Sequence, residues 1–184
     1  MPGFTSPQSF PYPLYTDPAG SGPAQIQAFA EAVDDAIVAQ QTAITNAKER
    51  KRGSAESSAV VAVANTTLTN ATFTTELLDN DNMVNLGVDN TAITATTAGL
   101  YYVQATAKWV ANATGSREVN ITLNTVNVGG IRSLAAAAPS ESQIDVSTLV
   151  YATAGQIFRL SVFQSSGGAL NMNYRRLSAV RLSG

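Results

Sequence analysis

The chain has 184 residues, a net charge of −2 and a pI near 5.0. This gives no general electrostatic pull toward nucleic acid or an anionic membrane. It holds neither His nor Cys, which removes the commonest general base, thiolate chemistry, disulfides and the usual transition-metal ligands.

Charged residues make up 13 %, against roughly 25 % in an average soluble domain. A hydrophobic content of 45 % argues against disorder. No run of about 18 apolar residues is present to span a bilayer, so membrane insertion is not expected.

Residues 1–22 form the first segment. Pro2, Pro7, Pro11, Pro13 and Pro18 block both helix and central strand. Phe4, Phe10, Tyr12 and Tyr15 are too apolar for a solvated tail. They predict an extended arm that lays its aromatics into grooves on a partner, with a flexible terminus as the alternative. The opening residues lack the charged and apolar regions of a signal peptide, so synthesis in the cytoplasm without secretory export is expected.

Residues 23–53 read as a helix. Ile26, Ala30, Val33, Ile37, Gln40, Ile44 and Ala47 recur four and three residues apart with little apolar width to either side. That is a coiled-coil seam rather than the broad face of a helix docked on a core. Gly22 suits the N-cap and Pro23 the first helical position. Lys48, Arg50, Lys51 and Arg52 complement the helix dipole, and Gly53 suits the left-handed position that closes a helix. The basic cluster reads as a solvated helix end rather than a nucleic-acid contact.

Over residues 54–184 the period becomes two. Val119, Ile121 and Leu123 alternate with Asn120 and Thr122, and Phe158, Leu160 and Val162 with Arg159 and Ser161. Leu170, Met172 and Tyr174 continue the pattern. Turn signals "DNDN" (79–82), "NATG" (112–115), "VGG" (128–130), "TAG" (153–155) and "SSGG" (165–168) punctuate the strands. Short strands between such turns predict an antiparallel sandwich or barrel.

Within that segment "ITATTAGLYYVQATAKW" (93–109) resembles the Gly-x-Tyr-x-aromatic strand of the jelly-roll heads of complement component 1q and the tumour-necrosis-factor group. "STLVYATAGQIFRLSVFQ" (147–164) and "LSAVRLSG" (177–184) follow in the order of that group. The resemblance covers residues 56–184 and implies a trimeric, mostly β head: an antiparallel jelly-roll sandwich preceded by an extended arm and a short trimeric coiled-coil helix. No collagen repeat is present and the closing strand lacks the group's aromatic pair, so no receptor or antibody binding is carried over. The Pro-Tyr-Pro stretch with "TDPAGSGPAQIQAFAEAVDDAI" (residues 10–38) resembles the N-terminal region of tail-fibre and minor tail proteins of phages infecting actinobacteria.

Together these resemblances imply a homotrimeric virion protein. It would be a tail fibre or spike, joined to other virion proteins through the arm, with a head that touches host surface glycan. A capsid fibre or decoration protein without a receptor role, a free-standing carbohydrate-binding module and a glycan hydrolase are the alternatives. The head's carboxylates, Glu56, Glu76, Asp79, Asp81, Asp89, Glu118, Glu141 and Asp145, are scattered, so no catalytic residue and no cofactor is expected.

The oxygen-rich stretch at Asp79 and Asp81 is a Ca²⁺ candidate set against an ordinary Asx-rich turn. Trp109, Tyr101 and Tyr102 are candidates for sugar stacking or for core packing. Arg175 and Arg176, as strand neighbours, point to opposite faces. The turns carrying Asn80, Asn112, Ser116, Arg117 and Ser166 are read as one exposed, receptor-facing end.

Overall fold

The structure is a computed structural model that describes residues 3–4, 11–12, 22–48, 50–136 and 139–183. It divides into two compact units, residues 1–49 and 50–184. In the first, β1 (Gly3–Phe4) and β2 (Pro11–Tyr12) pair antiparallel, with Gly3 opposite Tyr12. Phe4 and Tyr12 of the expected arm sit on these strands, while Phe10 and Tyr15 lie outside the described residues. Then comes α1 (Gly22–Lys48), whose 27 residues make a rod of about 40 Å at 1.5 Å per residue.

The second unit contains eleven strands: β3 (Arg52–Ser57), β4 (Val61–Val63), β5 (Thr69–Asn70), β6 (Thr75–Asp79), β7 (Ala92–Thr94), β8 (Gly99–Trp109), β9 (Ser116–Leu123), β10 (Val126–Leu134), β11 (Ser142–Ala152), β12 (Ile157–Gln164) and β13 (Leu170–Ser183). One sheet runs β11-β8-β13-β3-β6, with β4 also on β13. The other runs β10-β9-β12-β5, with β7 also on β12. All the pairings are antiparallel. The chain changes sheet between β8 and β9, β10 and β11, β11 and β12, and β12 and β13. The result is a jelly-roll sandwich.

The core follows from alternation. Tyr101, Val103, Ala105, Ala107 and Trp109 on β8 face Val119 and Ile121 on β9 and Phe158, Leu160 and Val162 on β12, all buried. Residues two apart share a face of a strand, and each of these sets steps by two.

Gly53 departs from the expectation drawn from it. The helix ends at Lys48, and Gly53 lies inside β3 between Ala179 and Asp79. A Cβ there would stand 2.8 Å from Met83 Cβ and 3.1 Å from Val84 Cγ2. The position needs glycine for close packing, not to close a helix.

Two arginines are also buried. Arg117 donates from Nη1 to the carbonyls of Thr114 and Ser116 (3.0 Å each) and from Nη2 to Asn112 O (3.1 Å). Arg175 donates from Nε to Thr72 O (2.6 Å), from Nη2 to Thr72 Oγ1 (3.2 Å), and from Nη1 to Ala59 O. In both cases backbone carbonyls receive the cation, and burial pushes the guanidinium pKa down. These side chains staple loops to strands. The expected receptor-facing role of Arg117 is therefore corrected, because its guanidinium is turned into the protein.

A third arginine pins a loop from outside. Arg159 grips Asp89 bidentately, Nη2–Oδ2 at 2.7 Å and Nη1–Oδ1 at 3.2 Å, and Thr91 N donates to Oδ1 at 2.9 Å. The Arg159 bond, ahead of the Thr91 bonds, holds the Asp89 carboxyl well below the usual carboxylate range.

Two outcomes are expected. Arg117→Ala strands three carbonyls and should cost at least about 2 kcal/mol, the scale of one buried charge-assisted hydrogen bond. Denaturant midpoints would check this, and a loss well under half that value would show that solvent replaces the guanidinium. The Asp89 contribution is complete above the unfolded carboxylate pKa of about 3.9 and is lost as pH falls through the depressed folded value. Asp89→Asn should therefore lower stability at neutral pH and flatten its fall in acid, measured as melting temperature against pH.

Candidate assembly and recognition surfaces

The outer face of the six-stranded sheet is not uniformly polar. Tyr101 turns inward, its ring centroid 5.3 Å from that of Phe158 and its hydroxyl donating to Thr97 O at 2.6 Å. Tyr102 must then turn outward, where it is 38 % exposed. Register places Leu149 and Val180 on either side of Tyr102, and Tyr151 opposite Leu100. Leu149 and Tyr151 are each 61 % exposed, and Leu182 nearby is exposed as well.

One end of the face is thus apolar. Farther along it becomes polar: Ser54 Oγ lies 2.7 Å from Ser178 Oγ, Arg176 Nε reaches both, and Thr106 Oγ1 donates to Asp145 Oδ1.

A second apolar patch lies on β10, the edge strand of the other sheet. Val126 and Ile131 are exposed there on the side shared with Leu123 and Val119, and Leu134, level with Ser116, is 83 % exposed on the other side. On α1 the seam residues Ile26, Ala30, Ile37, Gln40 and Ile44 are exposed and Val33 is half-buried. Phe29 and Val38 are exposed beside them.

The recognition loops fall into two groups. Asn112, Ser116 and Ser166 come together. Ser116 N donates to Ser165 Oγ at 2.9 Å, Ser165 N donates to Ser116 O at 3.1 Å, and Asn112 Oδ1 caps Thr114 N at 2.8 Å. Gly115 (φ +74°) allows this approach, since a Cβ would fall 1.8 Å from Ser165 O. Ser166 N donates to Gln164 Oε1, and Gly167 N to Asn65 Oδ1.

Asn80 lies elsewhere. Its Oδ1 accepts from Arg52 N and its Nδ2 donates to Arg50 O, where the chain enters the head. On β13 that place is level with Val180, whereas β4 and the 165–168 turn meet the start of the strand at Leu170. Ten residues of strand, about 33 Å, separate them. The expectation of one shared end is corrected.

The carboxylates of Asp79 and Asp81 are engaged by donors of the protein. Asp79 accepts from the N–H groups of Asp81, Met83 and Val84 at 2.9–3.0 Å. Asp81 pairs with Lys51 Nζ at 2.7 Å and accepts from Thr96 Oγ1. The Asp79 bond to Asp81 N is the local bond of an Asx turn. Among the described residues no group of three or more Asp or Glu side chains gathers. Trp109 is fully buried and so offers no face to a sugar. Arg176 is exposed and Arg175 is not, as adjacency on a strand demands.

Parity could have exposed the Arg117 error and decided between the two readings of Trp109. Arg117 lies two and four residues before Val119 and Ile121, and Trp109 is in step with Tyr101 and Val103.

No family model matches the sequence, and no curated protein does either. Solved structures do match. The globular domain of zebrafish complement 1qA protein superimposes with a TM-score of 0.56 at 12 % identity, covering 73 % of this chain and 98 % of that one. The PRD1 vertex protein P5 gives 0.56 at 16 %, over 72 % and 97 %. The Eiger TNF of S. frugiperda gives 0.53 at 11 %, over 74 % and 94 %. The head has the jelly-roll fold shared by the complement 1q and tumour-necrosis-factor proteins.

Proposed function

We propose that the chain is a homotrimeric structural protein of a phage virion. The arm joins it to the particle, α1 forms a three-stranded stalk and the head meets the host surface, as in a tail fibre or spike. The observation that carries this reading is the pair of exposed apolar patches on the head. One is centred on Tyr102, Leu149 and Tyr151, and the other lies along the β10 edge at Val126 and Ile131. Two different patches that meet head to tail generate a ring when the rotation closes. A narrow seam on α1 gives the same copies a second place to pack. The likeness of the head to complement and TNF structures and to a phage vertex protein supports both the assembly and the virion setting.

The mechanism is binding. Paired backbone and aromatics at the arm anchor the protein, and threefold presentation multiplies weak contacts by roughly 10²–10⁴. No catalytic step is assigned. Asp81, Asp89, Glu118 and Glu141 are each paired with a Lys or Arg rather than with a second carboxylate. A second reading, favoured by the likeness to a vertex protein, is a capsid fibre or decoration protein without a receptor role. A free-standing carbohydrate-binding module would account for neither the aromatic arm nor the seam.

Mass measurement in solution should give three times 19.2 kDa. Tyr102→Glu combined with Leu149→Glu should give a folded monomer, because both side chains are already outside the core. A monomeric wild type at micromolar concentration would overturn the assembly. Removing residues 1–20 should leave the trimer intact but unable to join particles, checked by the protein content of purified virions. Normal incorporation would remove the attachment role from the arm.

A further inference from the structure

We propose that the outer face of the β9–β10 hairpin is a shallow binding groove for an uncharged sugar, formed by Glu118, Asn120, Asn127, Gly130 and Arg132. The inference rests on the host-surface reading above only for the source of the sugar. Here register pairs Glu118 with Arg132, Asn120 with Gly130 and Thr122 with Asn127. These positions face away from the core that Val119 and Ile121 enter. Between them lies a hollow of about 390 Å³, lined by the five residues and Ile131. That is within the roughly 300–1,000 Å³ of small-molecule sites.

The groove is built rather than incidental. Gly130 lets the Asn120 amide form its floor: a Cβ there would lie 2.1 Å from Asn120 Oδ1, so the amide occupies the space that a side chain would take. A bulge between Asn127 and Gly129 brings Asn127 into line. Its Nδ2 donates to Asn120 Oδ1 at 2.9 Å, and its Oδ1 accepts from Gly129 N at 3.0 Å. Asn120 Nδ2 donates to Glu118 Oε1 at 2.8 Å, and Arg132 donates to Glu118 Oε2 through Nε at 2.6 Å and Nη2 at 2.5 Å. The Arg132 guanidinium rests 5.1 Å above the Phe163 ring. Each member orients the next, so donors and acceptors are fixed in advance of any ligand.

Charge selects the ligand. The bond from Asn120, and then those from Arg132, hold the Glu118 carboxyl below its usual range, so it is ionised at neutral pH. Glu118 and Arg132 cancel, leaving little to attract an anionic sugar or a phosphate. A lone carboxylate that already accepts three N–H bonds cannot supply the six or more oxygens of a Ca²⁺ site. Hydroxyl groups both donate and accept, so they suit a carboxylate, two amides and the remaining guanidinium donors.

The test uses the full chain and four probes: D-glucose, D-galactose, D-mannose and N-acetyl-D-glucosamine, with D-glucuronate as the charged control. At least one neutral sugar should shift the side-chain amide NMR signals of Asn120 and Asn127 in the millimolar range, and glucuronate should not. Glu118→Gln, nearly isosteric, should weaken that binding at least tenfold with an unchanged melting temperature. Gly130→Val should abolish it. No shift with any neutral sugar at tens of millimolar, or stronger binding of glucuronate, overturns the inference. Adsorption to cells separates it from the host-surface reading. If wild type and Glu118→Gln adsorb alike, the groove fails and receptor binding survives. If sugar binds as expected but the wild type does not adsorb, the groove stands and the receptor role falls.

Discussion

On β8, Tyr101 points toward Phe158 and Tyr102 away from it, and the chain itself covers only the first. A strand with large apolar groups on both faces has to be covered twice. The five-stranded sheet shows the contrast. Its inward residues Val119, Ile121, Leu160 and Val162 are apolar and buried, while its other face carries only polar groups, Glu118, Asn120, Thr122, Arg159 and Ser161, of which Asn120, Thr122 and Ser161 are themselves buried. The six-stranded sheet departs from that pattern most at one end, where Tyr102, Leu149, Tyr151, Val180 and Leu182 gather. Fully burying such a side chain contributes about 1.5–3 kcal/mol, while association costs on the order of 4–15 kcal/mol. A few partly exposed groups only match that cost. This is why the β10 edge and the α1 seam belong to the same account.

The other end of the head is governed by buried cations. Arg117 and Arg175 donate hydrogen bonds to the carbonyls of Asn112, Thr114 and Ser116 and of Ala59 and Thr72. Isolated buried charge is costly, and here oxygens meet every guanidinium nitrogen of the two except Arg117 Nε, which is buried without a partner. A loop whose carbonyls converge on one guanidinium is not free to adapt to a ligand. Recognition is then better placed on a sheet face, where Gly130 and a bulge make a hollow without loosening the frame, than on these stapled turns.

Much of this was legible in the sequence, because long strands advertise themselves. β8, β9, β12 and β13 run for eight to fourteen residues, enough for period two to stand clear of chance. β4, β5 and β7, with two or three residues each, have no room for a pattern, and their places depend on partners far along the chain. The misreadings share a cause. Arg117 follows the 112–115 turn and so reads as part of an exposed loop end, although its parity with Val119 and Ile121 says otherwise. Asn80 was grouped with Asn112 because both sit in turns. Which end a turn occupies is set by the register of β3 on β13, a pairing across more than a hundred residues that leaves no local trace. The groove escaped notice because it needs Gly130 and Asn127 brought against Asn120 by a bulge, and a bulge has no period.

The mixed seam of α1 follows from this order of dependence. A helix of this length is marginal alone in water, and a seam holding Ala30 and Gln40 among Ile and Val residues specifies an oligomer poorly. In the proposed assembly it does not have to. The helix ends at Lys48 and the head unit begins at Arg50, so heads that meet bring the helix ends together at a high effective concentration. The number of chains is then set by the fit of β10 against the Tyr102 face. The stalk needs only a stripe apolar enough to zip once it is held. A designed coiled coil that had to choose three strands by itself would place branched aliphatics throughout the seam. Gln40 at its middle is tolerable where the head has already made that choice.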